Sequence, residues 1–252
     1  MDIDKNLHIL TFDIADDVIN YFAFKPHNFR RTQVTDEERL SMINEINSNL
    51  NVKIDKIIRP YQQHTSNIKI VDENTSNDDL DAVDGVITNK KGVGLTIVTA
   101  DCQAIYLYDE VKKVIGCIHS GWSGTYQRII SNAIQMMIDN FNSNPKDIKA
   151  FIAPSILKCC FEVDEDLKEK FEAEFKDIDI QSCIEKGEIK DNKQKYFIDT
   201  VSINKQVLMN LGLLEENIVS SNICSKCNND FIHSHRADGS ESGRNMALIC
   251  MV

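Results

Sequence analysis

Short apolar segments separated by turn residues dominate the middle of the chain. Six of them are rich in valine, isoleucine or tyrosine and are bounded by glycine, aspartate or asparagine, which is typical of β-strands. In order they are KIIRPY, NIKIV, GVIT, GLTIVT, AIYLYD and KVIGCIH. Their close spacing predicts antiparallel or mixed pairing, because parallel neighbours need long crossover connections. IKAFIAP, NIVSSNI and NMALICMV are predicted as later strands.

Apolar residues at helical spacing and N-capping residues predict four helices. Thr35 and Glu38 form a capping-box signature in front of the first helix. Asp164 and Asp199 are candidate N-caps, and Gly212 is a usual C-terminal stop. The predicted helices cover residues 35–50, about 126–141, 164–175 and 199–211. Clustered strands followed by alternating helices and strands predict an α+β fold, with helices covering a mixed sheet.

The composition fits one globular domain spanning residues 1–252. Hydrophobic residues make up 42% of the chain and charged residues 27%, and no internal repeat or low-complexity linker interrupts it. The formal net charge of −11 argues against nucleic-acid binding driven by phosphate neutralisation, and against attachment to anionic lipid. An anionic substrate is still allowed, because a few arginines can hold a phosphate inside a pocket.

The cellular compartment is predicted to be the cytoplasm. No stretch approaches the roughly 20 apolar residues that span a bilayer. The N-terminal MDIDKNLHILTF is acidic and has no long apolar core, so no secretory signal is expected. In a reducing cytoplasm the eight cysteines should be thiols or metal ligands. Cys117 and Cys250 lie in apolar runs and should be buried as small hydrophobic residues.

Three residues with metal-binding or nucleophilic side chains lie where predicted strands end. They are His64 in YQQHTSN, Cys102 in TADC and His119 in HSGWSGT. Two histidines and a cysteine suit zinc, and three protein ligands leave a fourth position open for water, phosphate or substrate. The same residues could instead supply a cysteine nucleophile and its base. These residues by themselves leave both chemistries open.

Several ordered motifs resemble the laccase-domain family, from about residue 62 to the C-terminus. They are QQHTSN, DGVITN, TADC, HSGWSGT, IAPSI followed by CCFEV, CSKC, FIHSHR and SGRNMALI. Members of this family have been called polyphenol oxidases, multifunctional purine nucleoside phosphorylases and peptidoglycan editing factors. The resemblance implies an α/β sandwich related to a group of cysteine hydrolases.

The resemblance also implies a metal-dependent purine nucleoside enzyme. His64, Cys102 and His119 would hold zinc, or copper as the alternative, in its active site. The implied reactions are phosphorolysis of adenosine, inosine and methylthioadenosine to free base and ribose 1-phosphate, and deamination of adenosine. The expected partners are therefore a purine nucleoside and phosphate, with no nucleic acid or membrane. We expect a monomer or a homodimer.

Substrate contacts are expected from two arginines and a tryptophan. Arg236 and Arg244, in SHRADGSESGRN, are candidates for phosphate or sugar, or are solvated surface charges. Trp122 could stack on a purine or pack in the core. The resembled family usually has arginine after this tryptophan, where the chain has Ser123. Arg128, Arg236 or Arg244 could replace that contact.

A second cluster of candidate ligands lies near the C-terminus. Cys224 and Cys227 form a CxxC, and His233 and His235 follow along a predicted strand. This pattern is compatible with a structural zinc site, although its spacing is short for a zinc finger. His235 could instead act as an acid or base in the active site. Asp101 is expected to fix the turn at TADC with backbone hydrogen bonds.

Three other functions compete with the nucleoside enzyme. A cysteine hydrolase or amidase that edits peptidoglycan precursors would use Cys102 as nucleophile and His119 as base. Copper-dependent oxidation of phenols ranks low, because the chain has only six histidines for the several copper centres that it would need. A metal-dependent binding protein would need no catalysis at all.

Overall fold

The computed structural model describes residues 1–252, which form fifteen strands and six α-helices. The strands are β1 (Asp2–Asp4), β2 (Ile9–Thr11), β3 (Val18–Ala23), β4 (Lys56–Ile58), β5 (Ile68–Ile70), β6 (Gly85–Thr88), β7 (Val93–Thr99), β8 (Gln103–Asp109), β9 (Val114–Ser120), β10 (Ile148–Ile152), β11 (Glu162–Asp164), β12 (Ile184–Lys190), β13 (Lys193–Ile198), β14 (Ile218–Ser220) and β15 (Asn245–Met251). The helices are α1 (Asp36–Asn49), α2 (Trp122–Tyr126), α3 (Ile129–Phe141), α4 (Glu165–Glu174), α5 (Thr200–Asn210) and α6 (His235–Asp238).

The strands form two mixed six-stranded sheets and a smaller antiparallel one. The order is β1-β2-β3-β15-β7-β4 in the first sheet and β14-β10-β8-β9-β6-β5 in the second. The third sheet has the order β11-β13-β12. In the two large sheets only the edge pairs β4–β7, β5–β6 and β10–β14 are parallel. The α+β class and the mixed pairing are therefore confirmed.

The prediction of one mixed sheet was wrong, for two reasons. The strands β1 to β3 were not predicted, although turn residues flank them, and they complete the first sheet because β3 pairs with β15. Few residues of the third sheet are fully buried, and its strand IEKGEIK has no apolar run that predicts a buried strand. The strand β3 pairs with the distant β15, and β11 pairs with β13, whereas β12 and β13 form a hairpin.

Alternating side chains on the central strands define four layers. On β15, Ala247 and Ile249 face the core between the two large sheets, whereas Leu248 faces α1 on the outside. On β8, Tyr106 faces the core between the sheets, whereas Ile105 faces α3. The order across the molecule is α1, the first sheet, the second sheet, and then α3 with α5.

Most helix predictions are confirmed, with two corrections. The helix α1 begins at the capping box of Thr35 and Glu38, and the Asp199 side chain caps α5. The helix predicted from about residue 126 to 141 is instead two helices, α2 and α3. They are separated by Arg128, whose backbone is left-handed with a φ of 56°. Asp164 precedes α4 but makes no side-chain cap, because it pairs with Lys195.

Cys117 and Cys250 are fully buried in strands, as predicted. None of the helices is long and apolar enough to cross a membrane.

Candidate metal centre

His64, Cys102 and His119 converge at one end of the second sheet. Cys102 directly precedes β8 and His119 lies near the end of β9; these strands pair so that Ala104 lies opposite His119. His64 comes from the loop between β4 and β5. The ligand-type atoms of the three residues lie within 4.8 Å of one another, and Cys102 Sγ is 3.8 Å from His64 Nε2.

The side chain that organises this site is Asp84, which the sequence analysis did not single out. Asp84 is fully buried and directly precedes β6. Its Oδ1 lies 2.7 Å from His119 Nδ1. Its carboxylate also accepts backbone N–H bonds of 3.1, 3.0 and 2.8 Å from Gln63, His64 and Thr65. One carboxylate therefore fixes both histidines. Its only sequence signal was its place in DGVITN, before a strand.

Hydrogen bonds hold the His64 backbone in an uncommon conformation. His64 has a φ of 60°, in the left-handed region that residues other than glycine rarely adopt. The Asp84 carboxylate holds its N–H, and Ser123 Oγ donates to its carbonyl at 3.0 Å. Ser123 therefore has a structural role here.

The charges in the site stabilise one another. Burial disfavours the Asp84 carboxylate, but hydrogen bonds from His119 and Thr65 lower its pKa to about 2. Burial likewise disfavours an ionised Cys102, but His119 and His64 lower its pKa to about 6. Burial opposes the His119 imidazolium, yet the Cys102 thiolate and Asp84 raise its pKa to about 9. Because Asp84 is ionised, His119 Nδ1 is the donor in their hydrogen bond, which leaves Nε2 for a ligand on the Cys102 side.

Close packing at Gly121 leaves no room for a side chain. A Cβ atom there would lie 2.8 Å from Cys102 Sγ and 3.2 Å from His64 Cδ2. Glycine therefore allows the turn between β9 and α2 to pass directly beneath the two candidate ligands.

The three residues open into a cavity of about 500 Å³. Trp122, Arg236 and Arg244 also line it, as does His235 at the start of α6. Trp122 is 44% exposed, so it is not a core residue and its ring is available at the rim. The cavity thus contains Trp122, Arg236 and Arg244, the three residues expected to contact substrate.

The three arginines have different partners. The Arg236 guanidinium donates to the carbonyls of Cys160 and Glu162 at 3.0 and 3.2 Å. The Arg244 guanidinium donates to the carbonyls of its own loop. Arg128 is instead paired with Glu174 and Asp177, and it does not line the cavity. It therefore cannot substitute for the arginine that Ser123 replaces.

Asp101 fastens one wall of the cavity through contacts distant in sequence. Its backbone is left-handed, with a φ of 84°. Its carboxylate accepts hydrogen bonds of 2.6 Å from the hydroxyls of Ser225 and Ser234 and from the Arg236 N–H. The expected role in a local turn was therefore too narrow, because Asp101 joins β7 and β8 to the C-terminal loop.

The predicted grouping of Cys224 and Cys227 with His233 and His235 was wrong. His233 is buried against the carbonyl of His27, at 2.9 Å. His235 begins α6 and faces the cavity, because residues 231–235 do not form a strand. The sulfurs of Cys224 and Cys227 lie instead beside those of Cys159 and Cys160.

The donor set of His64, Cys102 and His119 fits a zinc or copper ion. One thiolate and two imidazoles are ligands of the right softness for either metal. The Asp84–His119 hydrogen bond is of the kind that usually orients a metal-binding histidine through its other ring nitrogen. Three protein ligands beside a cavity leave room for a further ligand, as in catalytic zinc sites.

Known proteins are similar to this sequence along most of its length. The chain is 34% identical over 172 residues to purine nucleoside phosphorylase YlmD of Bacillus subtilis, across 68% of this chain and 60% of that protein. It is 31% identical over 232 residues to a purine nucleoside phosphorylase of Borreliella burgdorferi, across 92% of both chains. It is 32% identical over 205 residues to adenosine deaminase RL5 of an unknown prokaryotic organism, across 77% of this chain and 75% of that protein.

The fold and the family assignment agree with these relatives. The crystal structure of the hypothetical protein YfiH of Bacillus licheniformis superposes with a TM-score of 0.87 at 25% identity, and 97% of each chain is covered. The family model described as multi-copper polyphenol oxidoreductase laccase matches residues 24–252. The resemblance found in the motifs is thus confirmed, and the chain belongs to the multi-copper polyphenol oxidoreductase laccase family.

Proposed function

We propose that this protein is a metal-dependent purine nucleoside enzyme. It would cleave adenosine, inosine and methylthioadenosine with phosphate and would also deaminate adenosine. The names of the relatives support this substrate class. The observation that carries the proposal is the convergence of His64, Cys102 and His119 on a cavity that also contains Arg236 and Arg244.

His64, Cys102 and His119 would hold the metal, which we propose to be zinc, with copper as the alternative. When bound, zinc supplies Lewis-acid chemistry and lowers the pKa of water, which suits deamination. Oxidation of phenols needs additional copper centres. The other cluster of ligand-type residues in the chain consists of four cysteines, so the histidine ligands of such centres are lacking.

The chain's own residues would perform the other tasks of phosphorolysis. The C–N glycosidic bond breaks as a C–O bond to phosphate forms, and the departing base takes up a proton. Arg236 and Arg244 would bind phosphate or the sugar, because guanidinium groups match phosphate oxygens. The exposed Trp122 ring would stack on the purine. His235 is the candidate proton donor, because it lines the same cavity.

Product analysis with adenosine tests the proposed reaction. We expect adenine and ribose 1-phosphate only when phosphate is present, and inosine in both conditions. Chromatography of reactions with and without phosphate measures these products. Reactions in the same buffer without the protein provide the background. If neither product forms with zinc-loaded protein, the nucleoside proposal is wrong.

One observation favours a second candidate function, a cysteine hydrolase or amidase. Without metal, Cys102, His119 and Asp84 form a sequence of nucleophile, base and orienting carboxylate. This arrangement would suit acyl transfer to Cys102, and its substrates would be amides such as those of peptidoglycan precursors.

The ionisation of Cys102 makes a prediction that bears on both functions. In metal-free protein we expect rapid iodoacetamide alkylation of Cys102 down to pH about 6, because its pKa is lowered to about 6. Below that pH the thiol is protonated and the rate should fall. Peptide mass spectrometry across pH measures the rate, with free cysteine as the reference thiol. Zinc should protect Cys102 if it is a ligand, whereas unchanged labelling with zinc favours the hydrolase.

A further inference from the structure

Four cysteines from two distant segments form a second cluster of sulfurs. This four-cysteine cluster consists of Cys159, Cys160, Cys224 and Cys227. All four sulfurs lie within 4.8 Å of one another. Cys227 Sγ is 3.8 Å from Cys159 Sγ and 3.4 Å from Cys160 Sγ.

These distances match a tetrathiolate site. Zinc–sulfur bonds of about 2.3 Å in a tetrahedron place the sulfurs about 3.8 Å apart. Four sulfur ligands satisfy the usual coordination number of structural zinc, so no position is left for substrate. The three-ligand site at Cys102 is of the opposite, open type.

The backbone around the cluster is arranged to support thiolates. Ser155 and Cys224 form an isolated β-bridge, with Ser155 N–H donating to the Ile223 carbonyl and Ser225 N–H to the Ser155 carbonyl. The bridge brings together two loops more than 60 residues apart in sequence. The backbone N–H groups of Leu157 and Cys227 lower the pKa of the Cys224 thiol, against the effect of its burial. Hydrogen bonds to ligand groups are typical of metal sites, where they orient the ligands.

A tetrathiolate centre is anionic overall, and two lysines adjoin its cysteines in the sequence. Lys158 directly precedes Cys159, and Lys226 directly precedes Cys227. Lys158 is paired with Glu185 at 3.6 Å, so Lys226 is the adjacent cation that is not shared with a carboxylate.

The cluster is coupled to the cavity of the candidate metal centre. Phe161, next to Cys160, lines that cavity, and the Arg236 guanidinium lies over its ring at 5.6 Å. Arg236 also donates to the Cys160 carbonyl at 3.0 Å. Fixing the loop of Cys159 and Cys160 would therefore fix the cavity wall that carries Arg236.

We propose that the four-cysteine cluster binds one zinc ion as a closed structural site that joins residues 155–161 to residues 223–228. The bound ion would hold the two loops together, which apolar contacts between them would otherwise have to do. Binding displaces protons from the thiols without any change of oxidation state. The inference does not depend on the proposed nucleoside reaction.

Metal content of the full-length protein tests this inference. Wild-type protein, expressed with zinc and purified without a His tag, should contain about two zinc ions per chain, one at each cluster. Cys159→Ser combined with Cys227→Ser should reduce this to about one, and Cys102→Ala should remove the other ion. Cys250→Ala, a buried cysteine outside both clusters, should leave the content unchanged. Elemental mass spectrometry measures all four proteins.

Two further readouts cover a variant that fails to fold. Cobalt-substituted Cys102→Ala protein should keep strong thiolate-to-cobalt absorption from the four-cysteine cluster. In wild-type protein, zinc should protect all four thiols from alkylation until a chelator is added. The inference is overturned if the double variant keeps the wild-type zinc content. It is equally overturned if the four thiols alkylate freely in zinc-loaded protein or are joined as disulfides.

Discussion

Asp84→Asn should lower both metal affinity and nucleoside turnover by about 10–100-fold, which is the usual effect of losing a carboxylate that orients a metal-binding histidine. Asp84 accepts bonds from His119 and from three consecutive backbone N–H groups around His64. An amide supplies one acceptor oxygen, and its NH₂ group must face donors in a fully buried position. His119 therefore loses its orienting partner, or the His64 loop shifts.

The same substitution should reduce stability by about 1–3 kcal/mol, the usual cost of buried polar groups left unsatisfied. Asp109→Asn is a matched control, because Asp109 is equally buried but caps a turn at the opposite end of β8. It should retain turnover and zinc at the Cys102 site. Thermal unfolding, zinc titration and steady-state kinetics measure the three effects. Wild-type kinetics and metal affinity in folded Asp84→Asn would rule out this role.

Cys102→Ala should reduce turnover by more than about 100-fold. This exceeds the effect of Asp84→Asn, because it removes a residue of the metal centre and not only a residue that orients one. Both candidate functions predict this loss, since Cys102 is a ligand in one and the nucleophile in the other. The zinc content separates them. A fall from about two zinc ions to about one together with loss of activity supports the metal enzyme, whereas loss of activity with the wild-type zinc content supports the cysteine nucleophile.

Cys102→Asp sharpens the distinction. A carboxylate is a zinc ligand, so this variant should keep part of the metal and part of the nucleoside turnover. It cannot perform the thiol chemistry of a hydrolase. Steady-state turnover and zinc content of both variants, with Cys250→Ala as control, test the difference. Wild-type turnover in Cys102→Ala would eliminate both functions as formulated.

Local patterns along the chain determined much of the fold. The capping box of Thr35 and Glu38 and the Asp199 cap depend only on neighbouring residues, and both were predicted correctly. The strands in the middle of the chain were also predicted, because their apolar runs are bounded by turn residues. Strand ends identified His64, Cys102 and His119, and the structure brings these residues together.

The tertiary structure alone decided the features that depend on groups far apart in sequence. The sheet of β1 to β3 with β15 exists through strand pairing, which local propensity does not encode. The role of Asp84 depends on the folded loop of His64, whose backbone N–H groups donate to that carboxylate. Likewise, Cys160 lies beside Cys227 because the β-bridge between Ser155 and Cys224 joins their two loops. The sequence identified most of the side chains proposed to carry the chemistry; chain topology decided which of them meet, because pairing and burial depend on contacts across the whole fold.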